Sequence, residues 1–458
     1  MFMKIFSKIR EEVGSFSPWF KIALAIIMVI YFGGWIFTTH LSQIQKERGE
    51  EVVLPLLTQD SNEYGLLSTS IIENRTFGEN GTVNTFRVPG YPIFVSFWRL
   101  IFDSFFFVTF IQIIMLFATT VIIRRIGSVF VSSTVGEIAA VLLLINPVTF
   151  VLTLMIFTDT LFLFLLLFGF YLAVSVSKEK MWPRILAAST LFAAAIYVRP
   201  MGIFALPIFM APFLASSLVL KDKLKSIALM ILVIAVLISP WFVRNYMVAG
   251  VADLSSFKSV NLAYYSVPMF LAHINNTSEE QERASFQKLT GVPSSEWRDI
   301  KHSKTLNDAA SKILLSRPFS YLFYHVVTSA PFLFSSSIDY LINDYKGAMG
   351  IELRPRRGVI NDLVSGDWRT FFKGIVEVWW KLAERIVLLV LYAFAAFGLW
   401  KYRRSLVAWS FACIALYLML LAGPAASVRY ALQAWPFIFL LSGVGMVSFR
   451  KLIKKDLP

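Results

Sequence analysis

Acid and guanidinium side chains stand against apolar runs at six places in this sequence, and their types suit acid–base work beside an anion. Asp60 opens the stretch Asp60-Ser-Asn-Glu-Tyr64, which continues into the apolar positions Leu66, Leu67, Ile71 and Ile72. That spacing predicts a short amphipathic helix lying on a bilayer surface. A carboxylate there can accept a proton from a hydroxyl or amine; as plain structure it would be the helix N-cap. Arg87 precedes the turn Arg87-Val-Pro-Gly-Tyr-Pro92, which Pro89 and Pro92 stiffen and in which Gly90 permits close backbone approach. Asp159, in Phe157-Thr-Asp-Thr-Leu161, borders a long apolar run, where an acid is costly unless it has a partner or a task. An N-cap with Thr158 is its structural alternative. Arg199 before Pro200, Arg244 in Pro240-Trp-Phe-Val-Arg-Asn-Tyr246 and Arg429 before Tyr430 each sit at the end of an apolar run. Guanidinium forks match phosphate oxygens in two-point contacts. Snorkelling toward lipid headgroups is the structural alternative for each.

The elements that must position these groups are membrane spans. Hydrophobic residues make up 57% of the 458 and charged residues 16%, with a mean hydropathy of +0.66. Soluble chains run at roughly 45–50% and about 25%. The excess sits in blocks such as Leu161 to Val174 and Ser226 to Ile238, with Lys and Arg between the blocks. Blocks of about 20 apolar residues cross a ~30 Å hydrocarbon core as helices, because backbone amides find no water there. Unbroken runs lack the alternation of a membrane barrel. The expected fold class is an all-α polytopic membrane protein. The net charge of +14 gathers at helix ends, where basic residues anchor a topology, so no nucleic-acid partner is expected. Cys413 stands alone, which leaves no intrachain disulfide.

The positive-inside rule orders the spans. Lys4, Lys8, Arg10 and Lys21 precede the first, whose apolar run to about Phe37 is too long for a cleaved signal peptide. Basic turns follow the second span (Ser104 to Ile123, closed by Arg124 and Arg125), the fourth (Lys178, Lys180) and the sixth (Lys221, Lys223, Lys225). The third, fifth and seventh end outside, near Asn146–Pro147, Arg199–Pro200 and Trp241–Tyr246. Phe319 to Ile338 is expected to lie along the interface or re-enter, because a crossing there would put Lys401, Arg403 and Arg404 outside. Three spans remain, about Val378 to Trp400, Leu406 to Gly423 and Tyr430 to Val447. The total is about ten, with both termini inside; eleven is the rival. The large soluble parts, 41–88 and 249–377, then lie outside, and no G-x-x-x-x-G-K-[ST] phosphate loop is present. Arg199, Arg244 and Arg429 break the rule on short outer turns, each beside Pro, Trp or Tyr, which predicts a cationic ring at one depth.

In this order, Asp60…Tyr64, Arg87-x-Pro-Gly-Tyr-Pro92, Thr158-Asp159, Arg199-Pro200, Pro240-Trp-x-x-Arg-Asn-Tyr246 and Arg429-Tyr430 resemble the GT-C glycosyltransferases, and within them the protein O-mannosyltransferase and aminoarabinose lipid A transferase-like branch. The resemblance covers the first seven spans and, by Arg429-Tyr430, the last; residues 249–377 match nothing in it. It implies a GT-C type bundle of about ten transmembrane helices with outer-face juxtamembrane helices. Residues 1–246 would form the transmembrane module, its first outer loop (41–88) carrying the catalytic acid; 247–377 would be an outer loop with an interfacial helix, and 378–458 a C-terminal three-helix region. The implied activity is a hexosyl- or pentosyl-type glycosyltransferase of the cytoplasmic (inner) membrane, working on its outer, periplasmic face. The donor would be a polyprenyl-phosphate sugar and the acceptor a glycolipid, a cell-wall polymer or a protein, with membrane lipid as the remaining partner. Asp60 would be the base of an inverting displacement and Asp159 the second acid. Arg87 and Arg244 would contact the donor phosphate, with Arg199 and Arg429 as second choices, and Tyr64, Tyr91, Tyr246 and Tyr430 would contact substrate. Many relatives carry a second acid directly after the first; here Ser61 stands there, and Glu63 follows. No cofactor is expected. A divalent metal is left open, and the dispersed His273, His302 and His325 lack zinc-ligand spacing.

Two other classes fit parts of the pattern. A secondary transporter would want ionisable groups at mid-membrane and paired repeats. An O-antigen ligase or polymerase-type enzyme would share the outer face but has no need of the Asp60-to-Pro92 loop between the first two spans. The depth and the loop of the acids separate the three.

Overall fold

Ser17 and Pro18 start the first long helix: the Ser17 side chain accepts from the Phe20 amide, and proline supplies the fixed φ of a first turn. In the computed structural model, the described residues are 7, 10–50, 53–79, 81–216, 218–330, 334, 335, 337, 338, 345, 366, 368–421, 423–425 and 428–455. The helices run α1 (Pro18–Glu47), α2 (Gln59–Asn74), α3 (Gly90–Phe102), α4 (Phe105–Phe130), α5 (Ser133–Leu144), α6 (Pro147–Leu154), α7 (Thr158–Val174), α8 (Met181–Val198), α9 (Leu206–Ala215) and α10 (Leu220–Ala249). The segment after α10 adds α11 (Phe257–Asn261), α12 (Val267–Asn275), α13 (Glu279–Thr290), α14 (Ser303–Ser316) and α15 (Pro318–Ser329). The chain closes with α16 (Trp368–Lys401), α17 (Leu406–Leu420), α18 (Val428–Ala431) and α19 (Trp435–Lys455). A two-residue antiparallel pair, Gly78–Glu79 with Thr82–Val83, tightens the loop between α2 and α3.

The protein is an all-α polytopic membrane protein. Among the described residues six helices are long and apolar enough to cross, and a seventh if the pair α5 and α6, bent by 65°, is one span. The shorter apolar helices Thr158–Val174, Pro200–Ala215 and Leu406–Leu420 stand where further spans were expected. Exposed apolar faces such as Ile22, Ile26 and Val29 of α1 or Leu232 and Val236 of α10 are the surfaces that lipid would cover.

Two boundaries differ from the sequence reading. Asn146–Pro147 is not a simple outer turn: Asn146 accepts from the Val148 amide and Pro147 is a first-turn residue, so the pair starts α6. Arg124 does not end the second span, because α4 runs on to Phe130. Arg124 is instead buried against Glu137, with Nε 3.2 Å from Oε1, while Ser17 donates to the same carboxylate from Oγ at 2.6 Å. The close crossing of α4 and α5 requires Gly127 and Gly136, since a Cβ on either would run into the other helix's backbone. The eighth span stands where expected, at Trp379–Lys401, although the helix that carries it, α16, starts earlier, at Trp368. Of the expected interfacial stretch, Phe319 to Ile338, the part to Ser329 is helical, within Pro318–Ser329; residues 331–333 and 336 lie outside the described residues.

One extended core joins the membrane helices. A second, smaller one lies in the segment from α11 to α15, where Trp297, Phe270 and Phe286 pack with Leu306 and Leu314.

Candidate active site

Thr58, not Asp60, caps α2: its side chain accepts from the Ser61 amide at 3.2 Å, and Ser61 returns the contact to the Thr58 amide at 3.0 Å. Asp60 sits in the first turn with its carboxylate unspent on capping. Arg99 of α3 donates to the hydroxyls of Ser68 (2.9 Å) and Thr69 (2.7 Å), which fastens α2 to α3. The link ahead of α3 is set by Asn84, whose side chain accepts from the Arg87 amide at 2.8 Å. Gly90 then lets the start of α3 meet the end of α8: a Cβ there would lie 2.6 Å from the Tyr197 carbonyl oxygen.

Six chain segments converge on one line of alternating charge. Arg199 donates to Asp159 Oδ1, which also accepts from Gln433 Nε2 at 2.6 Å. Asp159 Oδ2 accepts from Arg429 Nε at 2.9 Å, and the same guanidinium reaches Asp60 Oδ2 from Nη1 at 2.8 Å. Asp60 Oδ1 accepts from Arg87 Nη2 at 2.5 Å. That nitrogen also donates to Glu63 Oε2 at 2.6 Å, while Glu63 Oε1 accepts from Arg298 Nη1 at 3.2 Å. Four guanidinium groups thus face three carboxylates. The inner end is sealed, with Asp159 0% exposed, whereas the Asp60 side chain is 37% exposed and that of Arg298 47%.

Aromatic rings hold the cations in place. The Arg429 guanidinium lies 3.9 Å from the Phe157 ring centre, and Arg87 lies between Tyr64 (4.8 Å) and Phe86 (4.7 Å). Tyr64 accepts from Arg87 Nη1 at 3.2 Å and packs edge-on against Tyr91. Tyr91 is fully buried and donates to Gln112 Oε1 at 2.7 Å, while Gln112 donates to the carbonyls of Thr153 and Met155 between α6 and α7. Burial by itself would push the Asp60 carboxyl up; Arg87 and then Arg429, by charge and by hydrogen bond, outweigh it and hold it well below the usual carboxylate range. Burial pushes the Tyr64 phenol up. Two buried polar atoms in the cluster, Arg87 Nε and Gln433 Oε1, have no hydrogen-bond partner among the described residues.

Beside the cluster runs an apolar groove of about 490 Å³, lined by Pro89, Gly90, Leu161, Tyr197, Pro240 and Trp241 among others. Arg244 stands over Trp241, 4.6 Å from its ring centre, and donates to Asn84 O at 3.0 Å and Asn245 Oδ1 at 2.7 Å. It pairs with no carboxylate among the described residues.

Of the predicted cations, Arg87, Arg199 and Arg429 therefore meet around Asp60 and Asp159, while Arg244 stands apart at the groove. Tyr64, Tyr91 and Tyr430 border the cluster, the last 5.6 Å from Arg199. Tyr246 is 62% exposed and takes no part in it. Sequence reasoning missed Arg298 and Gln433 and gave Glu63 no partner. Gln433 carried one signal, its position four residues after Arg429. Among the described residues no group of three or more His, Cys, Asp or Glu converges as a metal site would.

No family model matches the chain, and no curated protein does. Among solved structures, it is similar to the archaeal oligosaccharyltransferase AglB of Archaeoglobus fulgidus in complex with an inhibitory peptide and a dolichol-phosphate, with a TM-score of 0.46 and 13% identity over 96% of this chain and 51% of that one. It is similar also to the Archaeoglobus fulgidus oligosaccharyltransferase tethered with an acceptor peptide containing the NVT sequon, with a TM-score of 0.46 and 15% identity over 93% and 50%. The chain spans about half the length of these structures.

Proposed function

We propose that the chain is a glycosyltransferase that moves a sugar from a polyprenyl-phosphate donor to an acceptor at the outer face of the cytoplasmic membrane. The observation that carries this reading is the Asp60 carboxylate, part-open to water, held between Arg87 and Arg429 at the ends of membrane helices. The apolar groove lined by Gly90 and Trp241 would hold the lipid tail, with Arg244 at the phosphate. The reaction is a single displacement with inversion. An acceptor hydroxyl attacks the anomeric carbon as the bond from that carbon to the phosphate oxygen breaks. The electron pair leaves with the lipid phosphate, and Asp60 takes the hydroxyl proton. Base catalysis of this kind supplies roughly 10²–10⁴-fold, and charge aimed at the departing phosphate is usually the larger contribution.

The ion pairs give the base a dependence on the donor. When a phosphate claims the N–H donors of Arg87 and Arg429, Asp60 loses the neutralisation that holds its pKa down and becomes a stronger base. Asp159, whose two oxygens are engaged by Arg199, Arg429 and Gln433, acts as a positioning residue for Arg429.

The test is Asp60→Asn in full-length protein inserted in nanodiscs, with the donor taken from lipid-linked sugars that accumulate when the protein is absent from cells. Transfer is expected to fall by at least about 10²-fold. Near-normal transfer would remove Asp60 from the chemistry.

A further inference from the structure

Trp297 is buried in the small outer core, where its Nε1 donates to Val292 O at 3.0 Å. The next residue, Arg298, leaves that core and lies 4.3 Å from the Phe86 ring centre. Its backbone is pinned as well. Ser256 Oγ donates to Arg298 O at 2.5 Å, and the Ile300 amide donates to Thr85 Oγ1 at 3.1 Å. The outer segment is thereby docked onto the stretch from Thr85 to Arg87 that carries a buried member of the charge line.

Arg298 differs from the other three guanidinium groups. Its side chain is 47% exposed, against 7% for Arg87, 10% for Arg199 and 11% for Arg429. Among the described residues it donates to one carboxylate oxygen, from Nη1, on a Glu63 side chain that is buried, and most of its five N–H donors are not spent on that pair. Glu63 keeps Arg87 through its other oxygen. The line holds one more cation than anions, and the excess has its open end here, facing water. Asp60 and Glu63 are three positions apart on α2, roughly one helical turn, ~5 Å, and Arg298 stands on Glu63's other oxygen, one contact further from Asp60. It is not among the residues lining the apolar groove. The same outer segment places Tyr265, on the π-helical turn Leu262–Ser266, within electrostatic reach of Asp60 and Tyr430; such turns recur at functional sites.

We propose that Arg298 is a specificity residue for the acceptor, binding a phosphate or carboxylate group that the acceptor carries apart from its nucleophile, across Glu63 from Asp60. The proposal rests on the glycosyl-transfer reading. It assigns to the outer segment the choice of an anionic acceptor and leaves the donor to Arg87, Arg244 and the groove.

Two measurements on the full chain in nanodiscs test it. One is calorimetric titration with inorganic phosphate. The other is transfer onto a pair of acceptors, a simple glycoside and its phosphate monoester. The wild type is expected to favour the phosphorylated acceptor by about tenfold or more in kcat/KM, mostly through KM. Arg298→Gln should abolish that preference and weaken phosphate binding by about tenfold, and Arg298→Lys should restore part of both. Lys301→Gln, at a nearby exposed cation, should leave the preference intact. A preference that survives Arg298→Gln overturns the proposal. So does an equal loss on both acceptors that Arg298→Lys does not relieve. If the wild type transfers to neither acceptor while phosphate binding still depends on Arg298, the acceptor role falls together with glycosyl transfer, and a bare anion site remains. If transfer proceeds but phosphate binding ignores Arg298, the anion site falls and glycosyl transfer stands.

Discussion

Asp60 and Arg429 stand 2.8 Å apart although 369 positions separate them. The contact joins α2 to α18, the short helix just ahead of the last membrane helix, and Arg429 also holds Asp159 on its other side. One guanidinium therefore connects an open carboxylate to a sealed one. Groups that act as a unit lose their effect together. Asp60→Asn and Arg429→Gln should each lower kcat/KM by about 10²–10⁴-fold, and the double variant should fall no more than about tenfold below the worse single. Losses that multiply in full, measured as a double-mutant cycle, would show two independent contributions instead.

The pH dependence follows from the direction of the Asp60 shift. Its folded pKa is depressed, so the ion pairs contribute fully above the ordinary value of about 3.9 and their contribution is lost as pH falls through the lower folded value. The stability gap between wild type and Asp60→Asn, followed by thermal denaturation in detergent, should be flat above about pH 5 and close below about pH 4. The acid limb of kcat/KM reports the free enzyme and should likewise lie below about pH 4. An acid limb centred near neutrality would assign the base to another group.

The groups that could be found in the sequence were those that broke a physical rule. Asp60, Arg87, Asp159, Arg199 and Arg429 carry charge next to hydrocarbon, where each needs a reason, and the structure brings these five together. The surface helix α2 was visible through its apolar spacing. Arg298 was not, because it lies in a polar stretch where an arginine is unremarked; only the docking of the outer segment onto Thr85 puts it beside Glu63. Arg244 obeys the same local rule as the clustered arginines, yet α10 carries it to the groove. A local pattern sets depth in the membrane and leaves azimuth around the bundle to packing. The start of α6 was hidden for a related reason, since Asn146–Pro147 has the composition of a turn and of a helix start alike.

Arg244 offers a separation of donor from acceptor. It stacks on Trp241 at the groove and has no carboxylate partner among the described residues, so its removal leaves no buried acid exposed. Arg244→Ala should raise KM for the lipid-linked donor by about tenfold, the scale of one charged phosphate contact, with KM for the acceptor nearly unchanged. Arg244→Lys should recover less than half of the loss, because an ammonium cannot reproduce the stacked fork. A rise confined to the acceptor's KM would move Arg244 out of the donor site.

Glu137 gives the opposite case, a charge network with no contact to the cluster. It is 2% exposed and accepts from Ser17 N at 3.1 Å, Ser17 Oγ at 2.6 Å and Arg124 Nε at 3.2 Å, tying the start of α1 to α4 and α5. Removing one member of a buried pair leaves the other charge uncompensated, typically at a cost of about 3–5 kcal/mol. Arg124 keeps the Ser15 carbonyl at 2.7 Å and Glu12 at 3.4 Å, which places Glu137→Ala at the lower end of that range, about 3 kcal/mol. Glu137→Gln retains an acceptor for Ser17 and should lose about half as much. Thermal inactivation in detergent measures the loss, and transfer per folded molecule should stay within about twofold of wild type because the network touches none of Asp60, Glu63, Arg87, Asp159, Arg199 and Arg429. A drop in transfer without a drop in thermal stability would mean that the α4–α5 junction is coupled to the site and is not simply holding the bundle together.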